Sequence, residues 1–394
     1  MRQIWVDESL SIGEDIYHKL ELNSPTGGWF PALQELAFCV TKSSHLYLGM
    51  FFSPHLKKFS IYISWSGMIF PQIPSGVLLA LASTLATLPV SALQNLHIDV
   101  DDDTTPWAHF KDSLSSVILR CGPSLTEVTS PIPLSDAAIN HLIRLPNLRT
   151  WHVESPPPSY AASSLPFDFP SLMDFTLGDG AGPGWLSLFK RLEDRVSSTQ
   201  GTTPWSRTKE SLKYLNVKSC SGPIIDIPFA SLIQNFRNVV NLDIQVLCYD
   251  ENEEDRCIFK LHDSSVTELA TALPQLEFLV LGRPCPENTC ATTIACLLSI
   301  SVYCPKLEQL GIHFNTTNIV DDFKNISVDP RFQELRLLPR CPLSCLDVSE
   351  MPLDLDEPDF ETVVLGMVGI FPSLDSCEGI DNIWYEVFVE FGGL

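Results

Sequence analysis

The chain has 394 residues, and its 25 basic and 48 acidic residues give a net charge of −23 at neutral pH. A hydrophobic fraction of 45 % is enough to build a folded core, so global disorder is excluded. The negative charge argues against nucleic acid and anionic membranes as partners, because both need clustered Lys and Arg.

A short phrase recurs along the sequence and predicts the strands. It consists of a Pro or Ser, a variable residue and then Leu-x-x-Leu-x-Leu, with apolar substitutions. The last two apolar positions are two residues apart, which is the period of a strand with one buried face. The Pro cannot continue a helix, so it marks the turn from helix to strand. Twelve copies begin at the apolar anchors Leu33, Leu56, Leu93, Leu125, Leu148, Leu172, Leu212, Val239, Leu276, Leu307, Leu343 and Leu374.

Segments with helical periodicity lie between these strands. Residues 135–145 show it most clearly, with Ser135 as the predicted N-cap and apolar residues at helical spacing. Residues 185–192 and 263–273 follow the same design, and a further helical segment lies near residues 362–370. The chain therefore alternates strand, turn and helix.

This alternation predicts an α/β leucine-rich-repeat solenoid, or horseshoe, with parallel strands on its concave face and helices on its convex face. We expect one domain over residues 1–394 with about 12 repeats, an N-terminal cap at 1–29 and a C-terminal cap at 375–394. The anchors step by 31 residues on average, longer than the 20–29 of plain leucine-rich repeats. Insertion loops are therefore expected at 155–168, 197–208 and 248–257, and an acidic stretch at 353–361 is expected to run into the helical segment near 362–370.

No motif in the sequence indicates a catalytic, cofactor or metal site. The glycine run 178–184 lacks the Lys and the hydroxyl of a phosphate-binding loop. The acidic run 99–103 lacks the alternating ligands, central Gly and final Glu of a calcium loop. We predict no catalytic residue, cofactor or metal. The enzymatic alternative is a site assembled from distant residues around His97, His152 and Asp99.

The cysteines are interpreted as structural. Four of them, at 285, 290, 296 and 304, are not spaced in the close pairs of structural zinc sites. Most of the 12 cysteines lie inside apolar runs, such as Cys39, Cys121 and Cys296, and are expected to be small buried residues. The sequence shows no apolar signal core, and its longest apolar stretch is about half a membrane span. We expect a cytoplasmic or nuclear protein.

The predicted function is recognition by the concave face. Alternate strand residues point away from the core and form a mixed polar set with two tyrosines, which suits protein recognition. The competing interpretation is an ordinary solvated sheet face. The candidate binding residues are Glu35, Lys58, Tyr62, His97, Asp99, His152, Glu154, Tyr214, Asn216, Lys218, Asp243, Gln245, His313 and Asp347.

The acidic excess is concentrated in the last third of the chain. Residues 251–394 contain 8 basic and 25 acidic residues, a net of −17. The acidic residues gather at 251–255, 321–322, 354–361 and in the predicted C-terminal cap. We expect an acidic pole at that end, either a solubilising cap or a docking surface for a basic partner.

Four segments carry a resemblance to a known family. They are Trp29-Phe-Pro-Ala-Leu-Gln-Glu-Leu36, Phe52-Ser-Pro-His-Leu56, Leu119-Arg-Cys-Gly-Pro-Ser-Leu125 and the stretch from Leu134 to Leu148. Through them the chain resembles the leucine-rich-repeat portion of the F-box proteins of mushroom-forming fungi, from about residue 2 to residue 384.

The resemblance implies substrate capture for a cullin-type ubiquitin ligase. In that family an N-terminal helical F-box binds the Skp adaptor, and the repeats bind the target protein. No F-box is visible in this sequence. A Skp adaptor is therefore expected as a partner only if the gene encodes an F-box that this sequence does not include. The alternative is a free-standing repeat scaffold or decoy without a ubiquitin-ligase link.

Overall fold

The computed structural model describes most of the repeat phrases and the segments between several of them. The described residues are 2–6, 19, 22–23, 29–40, 44–63, 75–100, 108–153, 169–178, 210–219, 236–246, 262–282, 292–328, 330, 333, 341–348, 357–374 and 376–378. They divide into two compact units. The first unit extends to Gly178 and includes Glu210 and Ser211, and the second begins at Leu212.

Seven described strands belong to the first unit and six to the second. In the first unit they are β1 (Gln3–Val6), β2 (Glu35–Val40), β3 (Lys58–Ile63), β4 (Asn95–Val100), β5 (Glu127–Ser130), β6 (Thr150–Val153) and β7 (Asp174–Leu177). In the second they are β8 (Tyr214–Ser219), β9 (Asn241–Val246), β10 (Phe278–Leu281), β11 (Gln309–Ile312), β12 (Cys345–Asp347) and β13 (Ser376–Glu378).

Helices connect many of these strands. The first unit has a 3₁₀ helix (Ser44–Phe51), α1 (Ser75–Ala86), α2 (Ala108–Arg120) and α3 (Asp136–Ile143). The second has α4 (Asp263–Ala272), α5 (Ala295–Tyr303), α6 (Ile319–Val328) and α7 (Glu357–Ile370). Neighbouring helices pack side by side within each unit, as α1 does against α2 and α4 against α5.

Within each unit, consecutive strands pair in parallel and in chain order. Glu35 of β2 is in register with Gln3 of β1 and with Lys58 of β3, and the same register continues through Asn95 of β4. In the second unit Leu242 of β9 aligns with Leu215 of β8 and with Leu279 of β10. Each unit is therefore a leucine-rich-repeat solenoid, with parallel strands on one face and helices on the other.

A tight turn precedes most of these strands. The amide of the first anchor donates to the carbonyl three residues earlier, as Leu33 does to Phe30 (3.0 Å) and Leu307 to Cys304 (3.2 Å). The intervening Pro31 and Pro305 sit at the second turn position, which proline favours because its φ is already correct. Where a phrase carries this Pro, the structure confirms that it marks the turn into a strand.

One hydrogen-bonding position just before each strand joins successive repeats. The carbonyl of Gln34 accepts two amides of the next repeat, from Lys57 at 2.7 Å and Lys58 at 3.0 Å, while the amide of Gln34 donates to Arg2. We call the residues that repeat this pattern the relay row. In the first unit they are Arg2, Gln34, Lys57, Gln94, Thr126, Arg149 and Met173, and in the second Lys213, Val240, Glu277, Glu308 and Ser344.

The core lies between the strands and the helices. Alternate strand residues such as Phe38 and Phe59 are fully buried, and helix residues such as Leu81 and Phe110 are equally buried. Burial of each such side chain contributes about 1.5–3 kcal/mol, and no single repeat has enough neighbours to supply it alone. Stacking of repeats therefore stabilises each unit.

The structure confirms the predicted strands and adds one. All twelve phrases form described strands, β2 to β13. Strand β1 lies inside the predicted N-terminal cap and was not predicted, because its sequence Gln-Ile-Trp-Val lacks the anchor phrase. The predicted Ser135 cap is also confirmed, since its side chain accepts a hydrogen bond from the Ala138 amide at the start of α3.

Helix predictions at 263–273 and 362–370 are confirmed by α4 and α7. The segment 185–192 and the expected loops at 155–168, 197–208 and 248–257 lie outside the described residues, as does most of both predicted caps. Since the two units are compact each by itself, a single domain over 1–394 stays a prediction.

A glycine sets the approach of α6 to α7. A Cβ at Gly366 of α7 would clash with the Phe323 ring on α6, lying closer to it than any real Cβ contact. Phe323 is buried and cannot swing into solvent without exposing its ring. Glycine is therefore required at this position by helix packing rather than by backbone conformation.

We expect Gly366→Ala to destabilise the protein by about 1–3 kcal/mol, the usual cost of overpacking a core. The matched control is Gly76→Ala in α1, where nothing lies within 4 Å of the added Cβ. That substitution should be neutral or stabilising by up to about 1 kcal/mol, because Ala favours helix. Urea denaturation followed by circular dichroism measures both. A stable Gly366→Ala protein would show that Phe323 repacks freely.

Candidate functional site: the polar face of the sheet

The strands present one buried face and one face towards solvent. In β2 the buried residues Leu36, Phe38 and Val40 alternate with partly exposed Glu35, Ala37 and Cys39. We call the strand face opposite the core the polar face of each unit. Parallel register aligns its side chains in rows across the strands.

In the first unit the predicted residues lie on this polar face. Lys58 and Asp99 are exposed, and the others are partly exposed. The described members are Glu35, Lys58, Tyr62, His97, Asp99 and His152. These residues lie on the polar face, and their role in binding stays a prediction. Glu154 lies outside the described residues.

Charged and polar neighbours on this face pair across the strands. Nζ of Lys58 lies 3.6 Å from Oε1 of Glu35, its register neighbour. Further along the same row, the amide of Asn95 donates to the carboxylate of Glu127. Both contacts link strands that are already hydrogen-bonded. Each therefore contributes between a few tenths of a kcal/mol and about 1 kcal/mol to the stability of the sheet.

An aromatic row crosses the first strands of the polar face. The rings of Trp5 on β1 and Tyr62 on β3 stack, with centroids 6.0 Å apart and planes 21° apart. The ring of His97 on β4 follows at 5.5 Å from Tyr62. Trp5 is 62 % exposed, so much of its surface faces water despite the stack.

The two histidines of the enzymatic alternative lie on different strands of the polar face. His97 and His152 each align with Thr129 of β5, so the two histidines lie two strands apart, about 10 Å. Nε2 of His152 instead lies 3.2 Å from Oδ1 of Asp174 on β7. Among the described residues, no hydrogen bond or ion pair joins His97 or Asp99 to His152.

In the second unit one of the predicted polar-face residues is buried. Tyr214 is 45 % exposed, and Asn216 and Gln245 are partly exposed. Asp243 departs from the expectation of an outward side chain, because it is buried at 8 % exposure. The amide of Gln245 donates to Oδ2 of Asp243 at 3.0 Å and helps to cover the carboxylate. Lys218 lies in β8, outside the residues whose side chains are described.

His313 and Asp347 lie at the other end of this face. His313 directly follows β11, and its carbonyl accepts a hydrogen bond from the Thr292 hydroxyl at 2.6 Å. Burial lowers the pKa of the His313 imidazole to about 4, although the Asp347 carboxylate pulls that pKa upwards. The imidazole is therefore neutral at physiological pH and can act as a hydrogen-bonding group but not as a cation.

Sequence reasoning missed Trp5, the most exposed aromatic residue of the polar face. The only available signal was the alternation Gln-Ile-Trp-Val, which is too short to distinguish from chance. It also omitted Glu127 and Asp174, although they occupy the same position in their phrases as Glu35 and Lys58 do. Applying the alternation rule to every phrase would have found both.

The described cysteines behave mainly as core residues. Cys121 and Cys296 are buried as expected, whereas Cys39 is partly exposed on the polar face because its strand neighbours point inwards. Burial raises the pKa of the Cys121 and Cys304 thiols to about 12, so neither is a thiolate at neutral pH. Among the described residues, no three His, Cys, Asp or Glu side chains come together as metal ligands.

Part of the predicted acidic pole is described. Asp321 and Asp322 lie in the first turn of α6, and Lys324 lies 3.8 Å from Asp321. Burial raises the pKa of Asp322, with further contributions from Asp263 and Asp321. The Asp263 carboxylate itself accepts the amide and hydroxyl of Thr293, both at 2.7 Å, so it ties α4 to the start of α5.

No helix in the described part of the chain is long and apolar enough to cross a membrane.

Comparisons with known proteins give a structural likeness but no match in sequence. No protein-family profile matches the sequence, and no curated protein matches it. Among solved structures, the chain is similar to a chain in the crystal structure of the Rad7 and Elc1 complex in yeast. The two are 15 % identical with a TM-score of 0.48, and the alignment covers 93 % of this chain and 80 % of that chain. The fold assignment above rests on the strand ladders and not on this likeness.

The depressed pKa of His313 predicts a pH dependence of stability. Its pKa is about 4 in the folded chain and about 6.5 in the unfolded chain, so the unfolded state binds more protons between these values. The stability from keeping this imidazole neutral is fully present above pH 6.5 and is lost as the pH falls towards 4. We expect His313→Gln to lose less stability than the wild type over this window.

Urea denaturation at pH 7.5 and pH 5 checks this difference for both proteins. Because the other titrating groups are common to the two chains, the difference between wild type and variant isolates His313. Equal losses of stability in the two proteins would contradict the assignment.

Proposed function

We propose that this chain is a non-enzymatic protein-recognition module that binds its partner on the polar face of its sheet. The observation that carries the proposal is the ordered row of exposed and partly exposed side chains held at fixed strand spacing in each unit. Aromatic and hydrogen-bonding groups on a rigid surface are typical anchors of protein interfaces. Exposed Trp5 and Tyr214 supply such anchors.

The rigidity of the backbone supports this role. Every described strand of the polar face is hydrogen-bonded to a neighbour, so a partner would meet side chains whose main chain is already ordered. Binding then costs less conformational entropy than binding by a loop.

The finer proposal follows the sequence resemblance to fungal F-box proteins. We propose that the partner is a target protein of a cullin-type ubiquitin ligase, captured in the cytoplasm or nucleus. A basic partner at the acidic C-terminal end remains part of this proposal. Co-purification of a Skp adaptor with the protein expressed from its native gene tests the ligase link. If target proteins bind without the adaptor, the chain is a scaffold or decoy instead.

Two tyrosines of the second unit give a matched test of the binding face. Tyr214 is 45 % exposed on the polar face, and Tyr303 is 38 % exposed at the end of helix α5. We expect Tyr214→Ala to reduce partner capture about tenfold, the effect of losing a central aromatic anchor. Tyr303→Ala should leave capture unchanged.

Quantitative affinity purification from cells that express the protein measures both variants against the wild type. Circular dichroism confirms that each variant is folded. Equal capture by all three proteins, or a loss with Tyr303→Ala alone, would reject the polar face of the second unit as the binding surface.

A further inference from the structure

The aromatic row of the first unit crosses a part of the polar face where the intervening strand carries small side chains. Strand β2 lies between β1 and β3, and beyond Glu35 at its start it presents the small side chains of Ala37 and Cys39 to this side. Ala37 is the register neighbour of Trp5, and Cys39 is the register neighbour of Tyr62. These small side chains leave room for the two large rings to lean towards each other across β2, which explains how residues two strands apart stack at 6.0 Å.

The stack is held in place before any partner binds. Trp5 contacts Tyr62, and Tyr62 contacts His97 with a centroid distance of 5.5 Å. If the row only stabilised the sheet, its rings would be expected to cover one another and lose most of their exposure. Trp5 instead keeps 62 % of its surface exposed. An ordered, solvent-facing indole is suited to anchor a partner, because it has little conformational entropy left to lose on binding.

The charge around the row selects for a cation. On the polar face of β1 to β7 the described carboxylates are Glu35, Asp99, Glu127 and Asp174, whereas the one described ammonium is Lys58. Lys58 is already paired with Glu35. Asp99 is exposed and is the register neighbour of Tyr62, so a carboxylate stands directly beside the aromatic row.

An aromatic face with an adjacent carboxylate suits a guanidinium better than any other common side chain. Its planar group stacks on indole and phenol rings while its N–H donors reach a carboxylate. The lysine ammonium is more strongly hydrated and cannot stack. An acidic segment or a phosphate would be repelled by the four carboxylates.

We infer that Trp5, Tyr62, His97 and Asp99 form an arginine-binding patch that recognises an arginine side chain of a partner protein. The inference rests on the proposed recognition function and adds the chemistry of the partner. It places this contact in the first unit, apart from the acidic residues of the last third of the chain. Arginine stacks on Trp5 and Tyr62, and Asp99 accepts hydrogen bonds from the guanidinium.

The test uses short Gly/Ser peptides that carry arginine, lysine or glutamate at the same positions. Isothermal calorimetry at physiological salt measures their binding to the full chain and to three variants. Asp99→Asn removes the patch carboxylate without a change of shape. Trp5→Leu removes the ring but keeps an apolar residue in β1. Glu127→Gln is the matched control, because it removes an equal charge from the same face, two strands from Tyr62.

We expect the arginine peptide to bind more tightly than the lysine peptide, and the glutamate peptide not to bind. Asp99→Asn and Trp5→Leu should each weaken arginine binding about tenfold, and Glu127→Gln less than twofold. Thermal unfolding confirms that the variants remain folded. Equal weakening by Asp99→Asn and Glu127→Gln would reduce the effect to net charge and overturn the inference. Equal affinity for arginine and lysine, or no binding of either peptide, would overturn it as well.

Failure of this inference and failure of the proposed function give different results. If Trp5→Leu and Asp99→Asn leave cellular partner capture and peptide binding unchanged while Tyr214→Ala lowers capture, the patch is rejected and the recognition function stands. If no polar-face variant changes capture, both are rejected.

Discussion

The architecture of each unit depends on one repeated hydrogen-bonding arrangement just before the strands. In the relay row a single carbonyl, such as that of Gln34, accepts two amides from the next repeat, and one of these belongs to the residue that continues the row. Successive peptide groups thus polarise one another along the row. Because the row fixes where each strand starts, it also fixes the register, and with it which side chains face the core and which face solvent. Every property of the polar face follows from that choice.

Much of this arrangement can be predicted from short segments of the sequence. The two apolar residues that end each phrase can lie on one face only in an extended strand, so a phrase such as Leu93 to Ile98 predicts its own secondary structure. The Pro before the anchor predicts the turn, and Ser135 predicts the start of α3. Repetition then predicts the solenoid, because no isolated repeat can bury its apolar face. These features need no knowledge of distant residues, and they are the ones that the structure confirms.

Several features that sequence reasoning missed depend on contacts between neighbouring side chains rather than on the local pattern. The exposure of Trp5 follows from pairing β1 with β2, and its stack with Tyr62 follows from the small residues of an intervening strand. The burial of Asp243 depends on cover from Gln245, and the need for glycine at 366 depends on a ring that belongs to another helix. An alternation rule assigns a residue to a face, but it does not say how far the neighbouring side chains cover that residue. The candidate site is therefore predictable as a surface and not as a pattern of exposure.

The relay row also has a consequence for how such a chain can change. The anchors of successive repeats are between 23 and 40 residues apart. Yet the amides of Lys57 and Lys58 both donate to the carbonyl of Gln34, and the amides of Glu277 and Phe278 donate in the same way to the carbonyl of Val240. A gain or loss of residues on the helical side therefore leaves the strand starts, and the face that they carry, in place. Insertion and deletion in one half of a repeat become nearly independent of substitution in the other half. A gene family built on this plan can lengthen its repeats and diversify its binding surface separately, with neither change undoing the other.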